Sequence, residues 1–203
     1  MHNNGTVADE LRILWDRTNE PEDILRVINA LFSCLLIRDP LTAEHSVQMA
    51  HLSYRLAEQF DPQNAVLYFA GSLTHDIGKI GMNDKVLKGS GILTPEEKGC
   101  LRDHVVDGYR LLCRLSMPSI MLDIVRYHHE RFNGSGYLEG LQELEIPLPG
   151  RIAAITDTYS ALTTERPYSN AKSIDQALEV MKRDSHQFDP LILQFFFKMM
   201  NHQ

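Results

Sequence analysis

Residues 119–138 read SIMLDIVRYHHERFNGSGYL, in which an apolar stripe runs into two histidines and then into a segment with two glycines. The apolar residues of the first half repeat at the spacing of one helix face, and His128 continues that face. Neighbouring helix residues point about 100° apart, so His128 and His129 cannot act as an i, i+4 pair. The two side chains can still face one point where a helix ends, and the glycines predict such an end here.

The rest of the chain shows the same helical periodicity. Apolar stripes with a period near 3.6 recur, whereas alternation with period 2 is never sustained. Capping boxes are predicted at 94–97 and 173–176, and Thr42 is predicted to cap the helix that carries a histidine three residues later. The sequence therefore predicts an all-α fold, a single helical domain of seven to nine helices, with long irregular segments at 78–93 and 132–148.

Composition and charge limit the class of protein. The 203 residues carry 20 Lys and Arg against 27 Asp and Glu, a formal charge of -7. This balance argues against a broad surface for DNA or RNA and against binding to anionic membranes. No apolar run approaches the roughly 20 residues that cross a bilayer, and the first residues lack a signal-peptide pattern, so we expect a cytoplasmic location. Cys34, Cys100 and Cys113 show no CxxC spacing, and buried, reduced thiols are expected.

Metal-capable side chains recur on faces that the periodicity predicts to be buried, on five separate helices. They are His45, the pair His75 and Asp76, His104, the pair His128 and His129, and Asp157. A lone histidine on an apolar stripe is usually a hydrogen-bonded core residue. Burying so many imidazoles and carboxylates without partners, however, costs on the order of several kcal/mol for each group.

A divalent cation satisfies all these groups together. Imidazole and carboxylate ligands without a thiolate suit Fe, Mn, Zn or Ni better than a soft copper site. Seven ligands exceed what one ion accepts while leaving room for a substrate, so two divalent metal ions are predicted.

Two motifs resemble the signatures of a known family. THDIGK at 74–79 resembles the HDxxK signature of the HD superfamily of metal-dependent phosphohydrolases. HHERFNGSGY at 128–137 resembles the HHExxDGxGYP signature of its HD-GYP branch. Further matches are TAEHS at 42–46, ILTPEE at 92–97, IPLPGRI at 146–152, DTYSALTTERPY at 157–168 and QFDP at 187–190. The resemblance covers residues 35–200 in the order of the family.

The resemblance implies an enzyme, a metal-dependent phosphodiesterase that hydrolyses a cyclic dinucleotide in bacterial signalling. Cyclic di-GMP is the favoured substrate and cyclic GMP-AMP the second. The family pattern makes His45, His75, Asp76 and Asp157 ligands of one ion, while Asp76 bridges to a second ion completed by His104, His128 and His129. Iron and manganese are the favoured ions. Leu41 stands where a subset of the family has a glutamate for a third metal, which also predicts two ions.

The implied mechanism is attack on phosphorus by a metal-activated hydroxide. Asp76 and Lys79 are the predicted catalytic residues, and Lys79 is also predicted to bind a phosphate oxygen; the alternative for it is a solvated lysine at a helix end. Arg166 matches a family arginine that contacts substrate phosphate, with a surface ion pair as its alternative. Arg131 and Tyr137 are further substrate-binding candidates, and the alternative for Tyr137 is packing of the loop. For Glu130 and Arg131, support of the histidines and an ion pair at the helix end are both open.

Five positions depart from the family pattern without removing a ligand. Asn133, Leu138, Val105, Ser160 and Ser169 stand for an aspartate, a proline, a proline, an aspartate and a basic residue, respectively. These changes leave two rival functions open. One is a metal-bound signalling adaptor that binds a cyclic dinucleotide or a partner protein with little turnover, and the other is an HD phosphohydrolase that acts on another nucleotide phosphoester.

The predicted organisation has two parts. Residues 1–38 form an N-terminal helical extension, and residues 39–203 form the HD-GYP-like catalytic domain. The extension either packs on the core or makes the chain a homodimer. The resemblance adds a diguanylate cyclase domain as a partner protein.

Overall fold

The computed structural model describes residues 6–88, 94–165 and 171–201. Within these ranges the chain forms ten α-helices and no β-strand beyond a single bridge between Asn133 and Gln142. The helices are α1 (Val7–Trp15), α2 (Glu22–Arg38), α3 (Pro40–Phe60), α4 (Ala65–Thr74), α5 (Asp84–Lys88), α6 (Pro95–Arg114), α7 (Ser119–Tyr127), α8 (Leu148–Thr163), α9 (Ile174–Arg183) and α10 (Pro190–Asn201). The predicted all-α class is confirmed. None of the helices in these ranges has both the length and the apolar character that crossing a membrane requires.

The described helices outnumber the predicted seven to nine because α1 and α5 were not foreseen. Helix α1 begins with a capping box in which Thr6 accepts from the backbone N–H of Asp9 at 3.2 Å and Asp9 accepts from that of Thr6 at 2.8 Å. An aspartate at this position falls outside the usual Ser/Thr-x-x-Glu/Gln pattern. Helix α5 has only five residues and lies inside the segment predicted to be irregular.

The boundary between α2 and α3 lies at Asp39. Its carboxylate accepts from the hydroxyl of Thr42 at 2.7 Å and from the backbone N–H of Thr42 at 3.4 Å, and Pro40 takes the first helical position. The prediction of Thr42 as the N-cap was therefore wrong, since the helix begins earlier. The capping box of Ser173 and Gln176 is confirmed. The predicted box at 94–97 includes side chains outside the described residues.

Two apolar clusters hold the helices together. One cluster joins α3, α8, α9 and α10, and the other joins α1, α2, α4, α6 and α7. Trp15 and Ile28 bring the N-terminal helices into the second cluster, where they are 2% and 0% exposed. Full burial of one such side chain stabilises the fold by about 1.5–3 kcal/mol. Helices α1 and α2 thus cover the core, while the division of the chain at residue 38 stays a prediction. The expectation of buried thiols is wrong for Cys34 and Cys113, which are exposed.

Gly78 brings the segment after α4 directly against α6. A Cβ atom at Gly78 would lie 2.0 Å from the carbonyl oxygen of His104 and 2.7 Å from the backbone nitrogen of Gly108. The two backbones can approach this closely only because no side chain separates them. This contact places His75 and Asp76, at the end of α4, beside His104 on α6.

Candidate metal centre

All seven side chains predicted as metal ligands converge where α3, α4, α6, α7 and α8 meet. His45, His75, Asp76, His104, His128 and Asp157 are each at most 7% exposed, and His129 is partly buried. Helix α7 ends at Tyr127, with His128 as its C-cap. Both histidines of the HHERFNGSGY segment therefore leave the helix and turn toward the same place. These seven residues are called the metal centre below.

His45, His75 and Asp76 form the first half of the metal centre. Each offers one ligand atom, and these atoms lie within 4.8 Å of one another. Oδ1 of Asp157 faces this half, at 3.0 Å from Nε2 of His45 and 3.9 Å from Nε2 of His75. Oδ2 of Asp76 lies 3.3 Å from Nε2 of His75. Two imidazoles and two carboxylates are therefore within reach of one cation.

His104, His128 and His129 form the second half, again with ligand atoms within 4.8 Å of one another. Oδ1 of Asp76 lies 3.1 Å from Nε2 of His104. Oδ2 of Asp157 lies 3.8 Å from Nδ1 of His129. Each carboxylate thus turns one oxygen toward each half, which is the arrangement that a bridging ligand needs.

Three of the imidazoles are held in one tautomer by their own helices. Nδ1 of His75, His104 and His128 faces a backbone carbonyl oxygen three residues earlier in the chain. The acceptors are the carbonyls of Ser72 (2.8 Å), Leu101 and Val125 (2.9 Å), respectively. A carbonyl only accepts, so the hydrogen is on Nδ1 and the lone pair of Nε2 faces the centre. The Nε2 atoms of His104 and His128 lie 3.4 Å apart. Two lone pairs cannot hydrogen-bond to each other, whereas a cation accepts both.

Buried polar atoms without a hydrogen-bond partner mark the same place. Five such side-chain atoms occur within the described residues, and three of them, Nδ1 of His45, Nε2 of His75 and Oδ1 of Asp76, belong to the metal centre. An unsatisfied buried group costs about 1–3 kcal/mol. Because the donor atoms are nitrogen and carboxylate oxygen, a divalent transition metal is the ion that suits them. The residues present therefore fit the metal ions predicted from the sequence.

Burial favours the neutral form of three imidazoles, those of His45, His128 and His129. Desolvation also acts to lower the pKa of His75, but Asp76 and Asp157 outweigh it and raise that pKa above 6.5. Desolvation lowers the pKa of His128 well below 6.5, and the neighbouring His129 and His75 lower it further. Desolvation also lowers the pKa of His129 to about 3, although Asp157 opposes the change. The pKa of His45 is lowered for the same first reason. Neutral imidazole is the form that binds a metal.

The two carboxylates stay ionised despite burial. Desolvation raises the pKa of Asp76, but Lys79 and His75 outweigh it and hold the pKa well below 3.8. Desolvation likewise raises the pKa of Asp157, and the hydrogen bond from His45 leads the effects that bring it well below 3.8. Both side chains therefore carry the charge that a bridging ligand supplies.

Lys79 lies against the metal centre itself. Its Nζ donates to Oδ2 of Asp76 at 2.5 Å, and its side chain is 16% exposed. The structure thus brings together the two residues predicted to be catalytic. In this arrangement the ammonium group neutralises the carboxylate, and its predicted contact with a phosphate oxygen stays a prediction.

Tyr137 forms a wall of the metal centre. Its ring stacks on that of His129, with centroids 4.7 Å apart and planes 28° apart, and its N–H donates to the carbonyl of His129 at 3.2 Å. Desolvation, followed by Asp157 and Asp76, raises the pKa of Tyr137, so its phenol stays neutral. The guanidinium carbon of Arg102 lies 4.8 Å from the ring centroid. Sequence reasoning missed Arg102, whose one signal was a basic residue two positions before a histidine ligand.

Glu130 and Arg131 fix the loop that follows the histidines. Glu130 is fully buried, and its Oε1 accepts from the N–H groups of Glu139 at 2.7 Å and Gly140 at 3.2 Å. Nη1 of Arg131 donates to the carbonyls of Glu130 at 3.1 Å and His128 at 3.4 Å. The guanidinium of Arg131 is thus directed at the backbone, as the support role requires. Glu130 was predicted either to support the histidines or to form an ion pair at the helix end, and its described hydrogen bonds go to backbone N–H groups of the loop.

The positions that depart from the family pattern make local contacts where they are described. Oδ1 of Asn133 accepts from the N–H of Ser135 at 3.1 Å and from its hydroxyl at 2.7 Å. The hydroxyl of Ser160 is buried and donates to the carbonyl of Thr156 at 2.7 Å. The predictions for Arg166 and Ser169 lie outside the described residues.

Fold and site together define a class of protein, an all-α domain that gathers imidazoles and carboxylates to bind divalent metals. Within that class the chain belongs to the HD domain family, whose sequence profile matches residues 30–192. The resemblance to the HD-GYP branch is confirmed by this match and by the relatives of the chain.

Two curated relatives illustrate the branch. The cyclic di-GMP phosphodiesterase of Thermotoga maritima is 37% identical over 183 residues, which are 87% of this chain and 49% of that protein. The 3'3'-cGAMP-specific phosphodiesterase 1 of Vibrio cholerae is 32% identical over 181 residues, which are 84% of this chain and 42% of that protein. The chain therefore spans less than half the length of each of these relatives.

A solved structure supports the fold. The HDG"Y"P protein from Bdellovibrio bacteriovorus superimposes with a TM-score of 0.64 over 79% of this chain and 52% of that one. At 19% identity the likeness establishes the shared helical architecture.

Proposed function

We propose that this domain is a metal-dependent phosphodiesterase that hydrolyses a cyclic dinucleotide, with cyclic di-GMP as the first substrate and cyclic GMP-AMP as the second. The main support for this proposal is the geometry of the metal centre, where Asp76 and Asp157 each turn one carboxylate oxygen toward each of its two halves. The names of the two relatives supply the substrate class.

In this proposal each half of the metal centre holds one divalent ion, iron or manganese first, with zinc and nickel as alternatives. When bound, the ions supply Lewis acids for the phosphoryl oxygens and lower the pKa of a coordinated water. Oriented Nε2 lone pairs and ionised carboxylates are what the chain itself contributes. Asp76 would serve as the bridging ligand, and the two oxygens of Asp157 are placed in the same way, one toward each half.

The remaining residues bind and orient the substrate. Lys79 exchanges its contact with Asp76 for one with a phosphate oxygen, and its ammonium group acts there as a point charge. Tyr137 closes one side of the metal centre and keeps a neutral phenol that can donate a hydrogen bond. Arg166 remains a candidate for the substrate phosphate on the strength of the family motif.

A metal-bound adaptor is the second candidate. Leu138 and Leu144 are 39% and 73% exposed on the loop after the histidines. Apolar side chains in solvent suit a contact with another protein, and the diguanylate cyclase domain predicted from the resemblance is the partner to test. The adaptor would keep its metals and its nucleotide affinity but turn over slowly.

One assay separates these functions. The protein is loaded anaerobically with Fe(II) or Mn(II), given cyclic di-GMP or cyclic GMP-AMP, and followed by chromatography of the linear product. Asp76→Ala should lose more than about a hundredfold in rate, since even changes behind the ligands cost 10–100-fold. Asp107→Ala, at a side chain 61% exposed on α6, is the matched control and should keep full activity.

Three results would contradict parts of the proposal. If neither nucleotide is hydrolysed while two metals are bound, the proposed phosphodiesterase activity is excluded. Binding of a nucleotide without hydrolysis would then favour the adaptor. Turnover of nucleoside monophosphates or triphosphates in their place favours the other phosphohydrolase. Metal analysis that gives one ion per chain removes the binuclear centre.

A further inference from the structure

Three cationic side chains of the described ranges stand around the metal centre, and they differ in what they contact. Lys79 is bound by the carboxylate of Asp76. Arg131 donates to two backbone carbonyls. Arg102 is exposed, and within the described residues its guanidinium has an aromatic ring as its partner and no carboxylate or carbonyl. Its five N–H donors are therefore still available.

The position of Arg102 is fixed by aromatic contacts that lead to the metal centre. Its guanidinium carbon lies 4.8 Å from the centroid of Tyr137, and the ring of Tyr137 stacks on that of His129 at 4.7 Å. A cation over an aromatic face is attracted by the ring without using its N–H groups. Arg102 is thus oriented beside the metal centre, with the ring of Tyr137 between its guanidinium and His129.

The charge balance calls for such a group. The chain carries a net charge of -7, and the side chains of Asp76 and Asp157 lie in the metal centre. A cyclic dinucleotide carries two phosphodiesters and hence two negative charges. Metal ions compensate the phosphodiester that is attacked, while the other needs a cation outside the metal centre. A guanidinium suits this task because its planar fork matches two phosphate oxygens.

We infer that Arg102 is a substrate-binding residue that holds the phosphodiester of the cyclic dinucleotide that is not cut. This inference rests on the proposed function and names a contact for that substrate. Tyr137 then acts as the positioning residue for the guanidinium. The assignment also gives a reason why a domain with a net charge of -7 would bind a dianion at this particular face.

The test uses Arg102→Ala, Arg102→Lys and a matched control. Arg110→Ala is on the same helix, 68% exposed and 3.9 Å from Asp107, and it should behave as the wild type. Arg102→Ala should raise the KM and the dissociation constant for cyclic di-GMP about tenfold to a hundredfold, as expected for a lost charge-assisted hydrogen bond, and change kcat by less than about threefold. The KM and the dissociation constant of Arg102→Lys should lie between those of the wild type and Arg102→Ala, because lysine keeps the charge but lacks the planar guanidinium.

A substrate with one phosphodiester distinguishes binding of the second phosphodiester from a contribution of Arg102 to the hydrolysis of any phosphodiester. With bis(4-nitrophenyl) phosphate, the loss in kcat/KM caused by Arg102→Ala should be at least about fivefold smaller than with cyclic di-GMP. Equal losses with both substrates would overturn the inference, as would an unchanged KM for cyclic di-GMP. A fall in the melting temperature of Arg102→Ala that Arg102→Lys does not restore would assign the residue to folding.

Equilibrium dialysis of labelled cyclic di-GMP distinguishes a failed inference from a failed function. If the metal-loaded wild type binds the nucleotide without cleaving it, the proposed reaction fails. A dissociation constant at least about tenfold weaker in Arg102→Ala then still supports the contact. Equal affinities of wild type and variant, or no binding by either, overturn it.

Discussion

At the metal centre the contacting side chains come from five helices and are almost completely buried, whereas the loop of residues 130–145 makes many of its contacts within itself. Glu130 binds the backbone at 139 and 140, and Asn133 binds Ser135. A change at the metal centre therefore disturbs packing between distant parts of the chain, while a change in the loop is absorbed over a few residues. Two of the departures from the family pattern, Asn133 and Leu138, lie in the loop, in keeping with this difference.

Removal of the metal ions should have the largest effect on stability. Without a cation, three buried atoms, Nδ1 of His45, Nε2 of His75 and Oδ1 of Asp76, have no hydrogen-bond partner. A ligand present at a thousand times its dissociation constant adds about 4 kcal/mol. For a domain of this size each kcal/mol shifts the melting temperature by about 2–4 °C, so chelation should lower it by about 8–16 °C. Calorimetry with and without a chelator measures the shift.

The same chelator should leave the melting temperature of Asp76→Ala nearly unchanged, because that variant holds its metals poorly. A shift below about 2 °C in the melting temperature of the wild type would mean that the metal centre is stable without ions. Changes at the metal centre would then not be expected to destabilise the fold more than changes in the loop.

Gly78→Ala tests the helix contact that closes the metal centre. The added Cβ would meet the backbone of His104 and Gly108, which cannot rotate away. We expect a loss of about 2–3 kcal/mol in the free energy of unfolding, measured with urea, together with a lower metal content. Gly81→Ala is the matched control, since a Cβ there meets nothing within 4 Å and should cost less than about 0.5 kcal/mol. Equal losses in the two variants would show that the close approach to α6 has no energetic role.

Glu130→Ala should have a smaller effect, confined to the loop. Two backbone N–H groups, at Glu139 and Gly140, lose their acceptor, which costs about 1–2 kcal/mol. Hydrogen exchange of these two amides should accelerate, while exchange in α4 and α6 stays as it is. Glu130→Gln keeps one acceptor oxygen, so exchange of these two amides should be faster than in the wild type and slower than in Glu130→Ala. Faster exchange throughout the protein in Glu130→Ala would assign the residue to the metal centre instead.

Asn133→Asp, which restores the family residue, should have the smallest effect. An aspartate oxygen can accept from the N–H and hydroxyl of Ser135 just as the amide oxygen does. The free energy of unfolding should change by less than about 0.5 kcal/mol, and the metal content should be the same. A change above about 1 kcal/mol would mean that the loop is coupled to the metal centre more tightly than its local contacts suggest.

The helical class and the convergence of the seven residues could be predicted because both depend on periodicity. A histidine on an apolar stripe must be buried when the helix packs, and the stripes were visible in the sequence. The cap of α3 was misassigned because Asp39 precedes a proline, and either Asp39 or Thr42 can cap a helix.

The contacts of Arg102 and Glu130 could not be predicted, for a different reason. The partner of Arg102 is a ring in a later loop, and the partners of Glu130 are backbone amides whose position depends on how that loop folds. No helical or strand period encodes such contacts. The assignments of metals and substrate contacts to individual residues stay predictions for the same physical reason, because they depend on groups that the chain itself does not contain.

The carbonyl contacts of His75, His104 and His128 have a consequence for the choice of metal ion. Each imidazole is anchored to a carbonyl one turn earlier in its own helix, so it moves with that helix and cannot swing independently. Adjustment to an ion of larger or smaller radius must then come from translation of α4, α6 and α7 relative to one another. The spacing of α4 and α6 is set at Gly78, two residues after Asp76 and directly against the backbone of His104. The packing of the helices would thus determine which ionic radius the site accepts. A single methyl group at that glycine would increase the distance between the helices and change that preference.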